Sequence, residues 1–211
     1  MRKKEKVLEI LEILKAEFPD SKCSLNYENP FQLLIATILS AQCTDIRVNQ
    51  VTQDILFPKY KTPQDFLNVP IEEIEKDIHS TGFYRNKSKS IVKCCQTLVD
   101  DFGGEVPQTM KALTSLGGVG RKTANVVLGN CFGNSDGVVV DTHVTRITNK
   151  LGLTKGKNAV KLEQDLNKIV PKEDWVIFSH LLIDHGRKTC NARKPKCSDC
   201  QLVPFCPAAE I

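Results

Sequence analysis

Nowhere in its 211 residues does this chain carry an apolar run approaching the ~18 residues that read as a membrane span. Nor is a secretory leader expected. The start, MRKKEKVLEILEIL, places basic residues before apolar ones, but Glu9 and Glu12 break the apolar stretch and no small-residue cleavage site follows. A cytoplasmic protein is therefore expected, in a reducing compartment where structural disulfides do not persist. Segments of strand-like alternation are also nearly absent. Only GVVV, residues 137–140, has that character, and four residues cannot make a sheet. Internal repeats and low-complexity linkers are lacking, and neither sign of charge dominates: 29 Lys and Arg against 25 Asp and Glu leave a net +4. Such a balance permits a polyanionic partner without demanding one.

What the chain does contain is helix after helix. Val7, Ile10, Leu11, Leu14 and Phe18 recur at helical spacing. NPFQLLIATILSAQC opens with Asn29 as a cap and Pro30 at the first helical position, and its apolar residues surround the helix, which marks it as central and buried. Thr44 caps the next segment, with Val48, Val51 and Ile55 on one face. Thr62-Pro63 and Val69-Pro70 start two more, the second closed by Gly82. Residues 86–102 form an amphipathic helix stopped by Gly103-Gly104, and further helices are expected over 108–116, 121–131, 142–151, 158–169 and 173–186. The fold class is all-α. Residues 131–137, CFGNSDG, form a turn-rich break that divides the chain.

Two stretches carry chemistry. LTSLGGVGRKTANVVL, residues 113–128, is a helix, a glycine-rich turn and a second helix. Gly118 and Gly120 can take positive φ, so the turn can be tight and its N–H groups, with the following helix N-terminus, can face an anion. The spacing is not that of a Walker loop and no strand precedes it. A glycine-capped αα-hairpin would account for the glycines alone. The cations Arg121 and Lys122 in the first helical turn oppose the macrodipole, and a bound anion or a catalytic task would explain them.

The second stretch is CNARKPKCSDCQLVPFC, residues 190–206. Cys190, Cys197, Cys200 and Cys206 follow C-x6-C-x2-C-x5-C, so one short loop can wrap a single centre, and four thiolates suit either zinc or an iron–sulfur cluster. The other five cysteines, Cys23, Cys43, Cys94, Cys95 and Cys131, lie mostly in apolar or helical surroundings and read as small buried hydrophobes.

LGGVGRKTA resembles the helix-hairpin-helix motif of the endonuclease III family of DNA glycosylases, and VVVDTHVTRI, residues 138–147, is similar to the segment carrying that family's catalytic aspartate. The resemblance runs from about NPFQLLIATILSAQ to Cys206, with the motifs in the same order. Gly117 departs from it, standing where the family usually has proline, and an extra glycine is expected to loosen the turn. The resemblance implies that Lys122 is a nucleophile attacking the sugar C1′ to form a Schiff base. An ordinary lysine, with a pKa near ~10.4, is protonated at neutral pH, so this chemistry needs surroundings such as Arg121 and the helix N-terminus that favour the free amine. Asp141 is implied to stabilise positive charge on the sugar or to handle a proton, and it is also placed to cap the helix that follows. The family's adenine-specific relatives carry a glutamate in the central helix and lack the lysine. FQLLIATILSAQ has no carboxylate, which points to the branch that is both glycosylase and lyase.

By the same resemblance Gln42 and Phe83 wedge into the duplex as a nucleotide is extruded, although Phe83 could equally be a core aromatic at a helix end. His143 is implied to line the pocket; His79, His180 and His185 show no ligand spacing and read as structural. The cysteine spacing is that of the family's [4Fe-4S] loop. Arg187, Lys188, Arg193, Lys194 and Lys196 then lie along a stiffened loop facing phosphates; the alternative of a solvated charge run is weakened because cysteine ligation constrains the backbone on both sides. Two helical domains are expected: 25–134 with the hairpin, and 1–24 joined to 135–211 with the cluster loop, the active site falling in the cleft between them. The implied partner is double-stranded DNA with an oxidised pyrimidine or an abasic site, acted on by a monomer that is nucleoid-associated when bound. A non-catalytic DNA-binding protein would not need Lys122 and Asp141 together, and a zinc-binding regulatory module would leave the glycine turn unused.

Overall fold

The computed structural model of the protein describes residues 2–209. It is helical throughout, with no strand among the described residues, and no described helix is long and apolar enough to cross a membrane. The order is α1 (Lys3–Glu17), α2 (Pro30–Leu39), α3 (Asp45–Val51), a π-helical turn (Thr52–Leu56), α4 (Phe57–Lys59), α5 (Pro63–Leu67), α6 (Ile71–Ile78) and a 3₁₀ turn (His79–Thr81). Then come α7 (Tyr84–Phe102), α8 (Met110–Ser115), α9 (Arg121–Phe132), α10 (Thr142–Lys150), α11 (Ala159–Asn167) and α12 (Trp175–Lys188). The chain divides into two compact units. One runs from Cys23 to Asp136 and holds α2 to α9. The other joins the residues through Lys22 to those from Gly137 onward.

The first unit is built around α2. Asn29 Oδ1 accepts the Gln32 N–H at 2.9 Å, so the helix starts where the sequence places it. Leu33, Leu34, Ile35, Ala36 and Leu39 are all at 0 % exposure, which only a helix enclosed on every side allows. Each large side chain so buried contributes about 1.5–3 kcal/mol. Ile74, Ile78, Ile91, Leu98 and Leu113 close the same core. Cys94 and Cys95 are fully buried in it. Burial pushes the Cys94 thiol up to about 12, and burial with Cys94 alongside raises Cys95 further still, so both behave as inert hydrophobes. Cys23, Cys43 and Cys131 are half-buried against that core.

The expected face of α3 is displaced by its π turn. Phe57 N–H donates to Thr52 O, the wider loop adds a residue, and Leu56 rather than Ile55 becomes fully buried. Pro58, just beyond, has no N–H to continue a regular ladder.

In the second unit, Val7, Ile10, Leu11 and Leu14 of α1 bury with Val144, Ile147, Leu162, Leu166, Phe178 and Leu182. The strand-like GVVV is an extended connection. Val138 and Val140 enter this core, and the Val138 N–H is taken by the Asn167 side chain at 3.0 Å, so a helix side chain replaces the sheet partner the pattern would need.

Candidate functional site

In the first unit, α8, the turn at residues 116–120 and α9 form the hairpin. Thr109 caps α8, its hydroxyl accepting from Ala112 N–H at 3.3 Å. Of the two glycines expected to need positive φ, only Gly118 does, at 73°; Gly120 is the N-cap of α9 at φ −90°. At Gly117 the turn packs closely on α7. A Cβ there would lie 2.7 Å from Lys93 Cβ and 2.9 Å from the backbone nitrogen of Cys94, and one at Gly118 would lie 2.6 Å from Ser90 Cβ. Two successive glycines thus let the turn sit directly on α7, whereas a Cβ at Gly120 would meet nothing within 4 Å.

Because Gly120 has no side chain, α9 starts without the side-chain cap that α2, α8, α10 and α11 possess. Its first-turn N–H groups carry partial positive charge into that opening. Arg121 and Lys122 are exposed in this turn. The guanidinium turns to the end of the unit: Nη1 lies 3.5 Å from Asp136 Oδ2 and Nη2 donates to Asp136 O at 3.3 Å. Asp136 was not foreseen, and it offsets part of the Arg121 charge.

Gln42 and Phe83 have φ of 53° and 50° and are the only described non-glycine residues in the left-handed region. Each such residue costs about 1–2 kcal/mol, and strain of this kind concentrates at functional sites. Gln42 sits exposed in the turn between α2 and α3. Phe83 precedes α7 and is 61 % exposed, which rules out the core-aromatic role. Its neighbours His79 and Tyr84 pack against each other instead, with ring centroids 4.5 Å apart. Lys87, unremarked in the sequence, is buried beneath these turns.

In the second unit Asp141 caps α10, its Oδ1 accepting the Val144 N–H at 2.8 Å. Two residues on, His143 Nδ1 is 3.3 Å from Arg146 Nη2, which also donates to the Cys190 carbonyl at 2.8 Å. Cys190, Cys197, Cys200 and Cys206 all line one small cavity of about 20 Å³, partly open to solvent and otherwise walled by residues such as Ile147, Leu151 and Leu202. No three of the described His, Cys, Asp or Glu side chains draw together tightly enough to hold a metal ion. A zinc ion would require sulfurs at about 2.3 Å from one point. Four thiols lining one cavity are a donor set that suits zinc or an iron–sulfur cluster. Burial raises the Cys190 thiol, with Lys150 and Arg146 opposing and the neighbouring cysteines adding, and it raises the Cys200 thiol, with the Leu202 backbone opposing and the cysteines adding; a bound metal centre would favour the thiolates.

His185, read from sequence as structural, is buried behind this loop with Nε2 3.6 Å from Cys200 Sγ. Burial holds its pKa below the usual imidazole value, Glu17 opposing that and Arg146 and Lys188 adding to it. Fifteen residues separate His185 from Cys200, so spacing could not have revealed the contact. Arg187, Arg193, Lys194 and Lys196 are exposed. Lys188 instead turns to Glu17, 3.3 Å away.

Residues 35–172 match the model of the HhH-GPD superfamily base excision DNA repair proteins. The chain is 53 % identical over 208 residues to endonuclease III of Synechocystis sp., covering 99 % of this chain and 94 % of that protein. A solved non-covalent endonuclease III–DNA complex superposes with a TM-score of 0.93 at 46 % identity, covering 99 % of this chain and 97 % of the other. A trapped covalent endonuclease III–DNA intermediate gives 0.93 and 46 % as well, with 99 % and 98 % covered.

The seating of Gly117 on α7 makes a stability prediction. Gly117→Ala should lower the unfolding free energy by about 1–3 kcal/mol, while Gly120→Ala, with open space around its Cβ, should cost under about 1 kcal/mol. Denaturant melts of the two variants check the order; equal melts would mean that the turn is not held against α7.

Proposed function

The chain belongs to the HhH-GPD superfamily of base excision DNA repair proteins, and on that premise we propose that it is a bifunctional DNA glycosylase and abasic-site lyase with Lys122 as its nucleophile. The observation that carries this reading is the hairpin. A glycine turn seated on α7 opens an uncapped helix whose first turn presents an exposed lysine. The N–H groups around Gly118 and Gly120 bind a backbone phosphate, with Arg121 beside them, and bring the Lys122 amine to the sugar. The free amine attacks C1′ as the bond to an oxidised pyrimidine breaks and the base leaves with a proton; the C1′–O4′ bond of the resulting aminal then opens, O4′ taking a proton, to leave an imine. The imine acidifies the 2′-hydrogen, and β-elimination breaks the strand 3′ to the abasic site.

The Asp141 carboxylate stabilises positive charge on the sugar or relays a proton. Its Oδ1 is held by the Val144 N–H, which fixes the orientation of the second oxygen. Gln42 and Phe83 fill the gap left by the extruded nucleotide, their strained backbones projecting the side chains outward. His143 lines the pocket for that nucleotide. The enzyme acts as a monomer on duplex DNA carrying a damaged base or an abasic site, in the cytoplasm and on the nucleoid.

Cys190, Cys197, Cys200 and Cys206 hold a [4Fe-4S] cluster. All four ligand positions are taken by protein, so the cluster's task is to fold the loop rather than to enter the reaction. The stiffened loop presents Lys194 and Lys196 to the phosphate backbone, and Arg187 joins them from the last turn of α12.

Three outcomes are expected. Lys122→Gln abolishes base release and nicking while DNA binding persists, and borohydride no longer links the protein to its DNA; an undiminished covalent link would assign the nucleophile to another amine. The purified protein is brown, with a broad absorbance near ~400 nm from iron–thiolate charge transfer, and Cys197→Ser loses both colour and DNA affinity; a colourless, fully active Cys197→Ser protein would remove the cluster from the account. Replacing Lys194 and Lys196 with Ala weakens binding to every sequence alike and lowers the slope of log K against log salt by about 2. An unaltered slope would leave these lysines facing solvent.

A further inference from the structure

The two strained turns of the first unit converge on one buried amine. Lys87 is 5 % exposed, and its Nζ donates to the Leu39 carbonyl and to the Thr81 carbonyl, each at 2.8 Å. Leu39 ends α2 three residues before Gln42, and Thr81 lies two residues before Phe83. The backbone of the same residue completes the link, Lys87 N–H donating to Phe83 O at 3.1 Å. Thr81 is anchored in turn by its hydroxyl, which donates to Ile78 O at 2.8 Å.

Hydrogen-bond partners of the Lys87 ammonium are carbonyls, not a carboxylate. Burial pulls its pKa down from the ordinary lysine value, with Cys43 opposing. Such a group stabilises the core less well than an apolar side chain of similar volume would. What it supplies is direction. One of its bonds satisfies an orphan carbonyl at the C-terminal end of α2, where the macrodipole favours a cation, and the other fixes the loop leading into Phe83.

We propose that Lys87 is a positioning residue for base extrusion, a buried tie that holds the Gln42 and Phe83 turns in one relative geometry so that both side chains can enter the duplex together. This rests on the reading of Gln42 and Phe83 as the wedges. Either turn alone could relax out of the left-handed region. Tied through Lys87, neither can shift without breaking a bond to a buried carbonyl, so part of the cost of organising the wedges is met before DNA arrives.

The test uses the full-length protein and two substrates: a duplex carrying an oxidised pyrimidine in the stack, and a duplex whose abasic site lies in a bulge where the target is already unstacked. Lys87→Met keeps an unbranched chain one atom shorter and removes every side-chain donor. It should raise KM or lower extrusion, read by 2-aminopurine fluorescence opposite the lesion, roughly 10- to 100-fold on the stacked duplex, with nicking of the bulged site within about threefold of wild type. Lys87→Arg, which retains donors, should recover part of the loss. Hydrogen exchange at the Gln42–Cys43 and Gly82–Phe83 amides should quicken in Lys87→Met while exchange in the middle of α7 does not change. Should the Met protein fail to fold, Lys87→Gln, too short to reach both carbonyls, must show the same split between substrates.

Equal losses on both substrates, or wild-type extrusion by a donor-less variant, overturn the proposal. Gln42→Ala and Phe83→Ala run in parallel separate the two readings. If neither impairs the stacked duplex, the wedge assignment has failed; if both do and Lys87→Met does not, only the tie has failed.

Discussion

The first unit depends on how closely other segments can approach α7. Gly117 and Gly118 lie where any side chain would meet Lys93, Cys94 or Ser90, and that approach sets the position of the turn and hence the start of α9. A helix that begins on glycine has bare N–H groups, and a bare helix start is what an anion can use. The same helix α7 sends Lys87 inward from its first turn to the end of α2 and to the loop before Phe83. The hairpin and both strained turns are thus referred to one rigid element, and rigidity at that point matters because phosphate contact and base extrusion demand correct placement before any bond is broken.

The second unit answers a different physical problem. Its C-terminal loop has only short 3₁₀ turns, Cys197–Asp199 and Val203–Phe205, and its four cysteines line a small cavity. Leu202 anchors the loop in the unit's core, with Cys190, Cys200, Phe205 and Cys206 packed against it. Behind it, His185 against Cys200 and Arg146 on the Cys190 carbonyl join the loop to α12 and α10. Such outer contacts orient ligand residues and tune the centre they hold. The cations on the loop divide by partner: Lys188 is engaged by Glu17, and Lys194 and Lys196 remain exposed.

Local signals were read correctly wherever a residue acts on its own chain neighbours. Asn29, Thr44, Thr62 and Asp141 cap the helices they precede, Gly82 and Gly103 end segments as expected, and the cysteine spacing named a loop whose four thiols share a cavity. Distant partners add what no local pattern contains. Asn167 takes an N–H of GVVV, which forms no strand, α7 lies directly beneath Gly117, and Asp136 pairs with Arg121.

Sequence alone determined the helical class, the turn-rich break near residue 135, the hairpin with Lys122, the aspartate cap and the four-cysteine loop. Each of these is written in contiguous residues, and capping, glycine turns and ligand spacing act over a few positions. Only the tertiary structure decided that Gln42 and Phe83 are strained and that Phe83 is exposed, and that Lys87 ties their turns and His185 backs a cysteine. Those facts join residues tens of positions apart. Nothing in a local pattern specifies which carbonyl a buried amine will reach, because that is set by how whole helices pack.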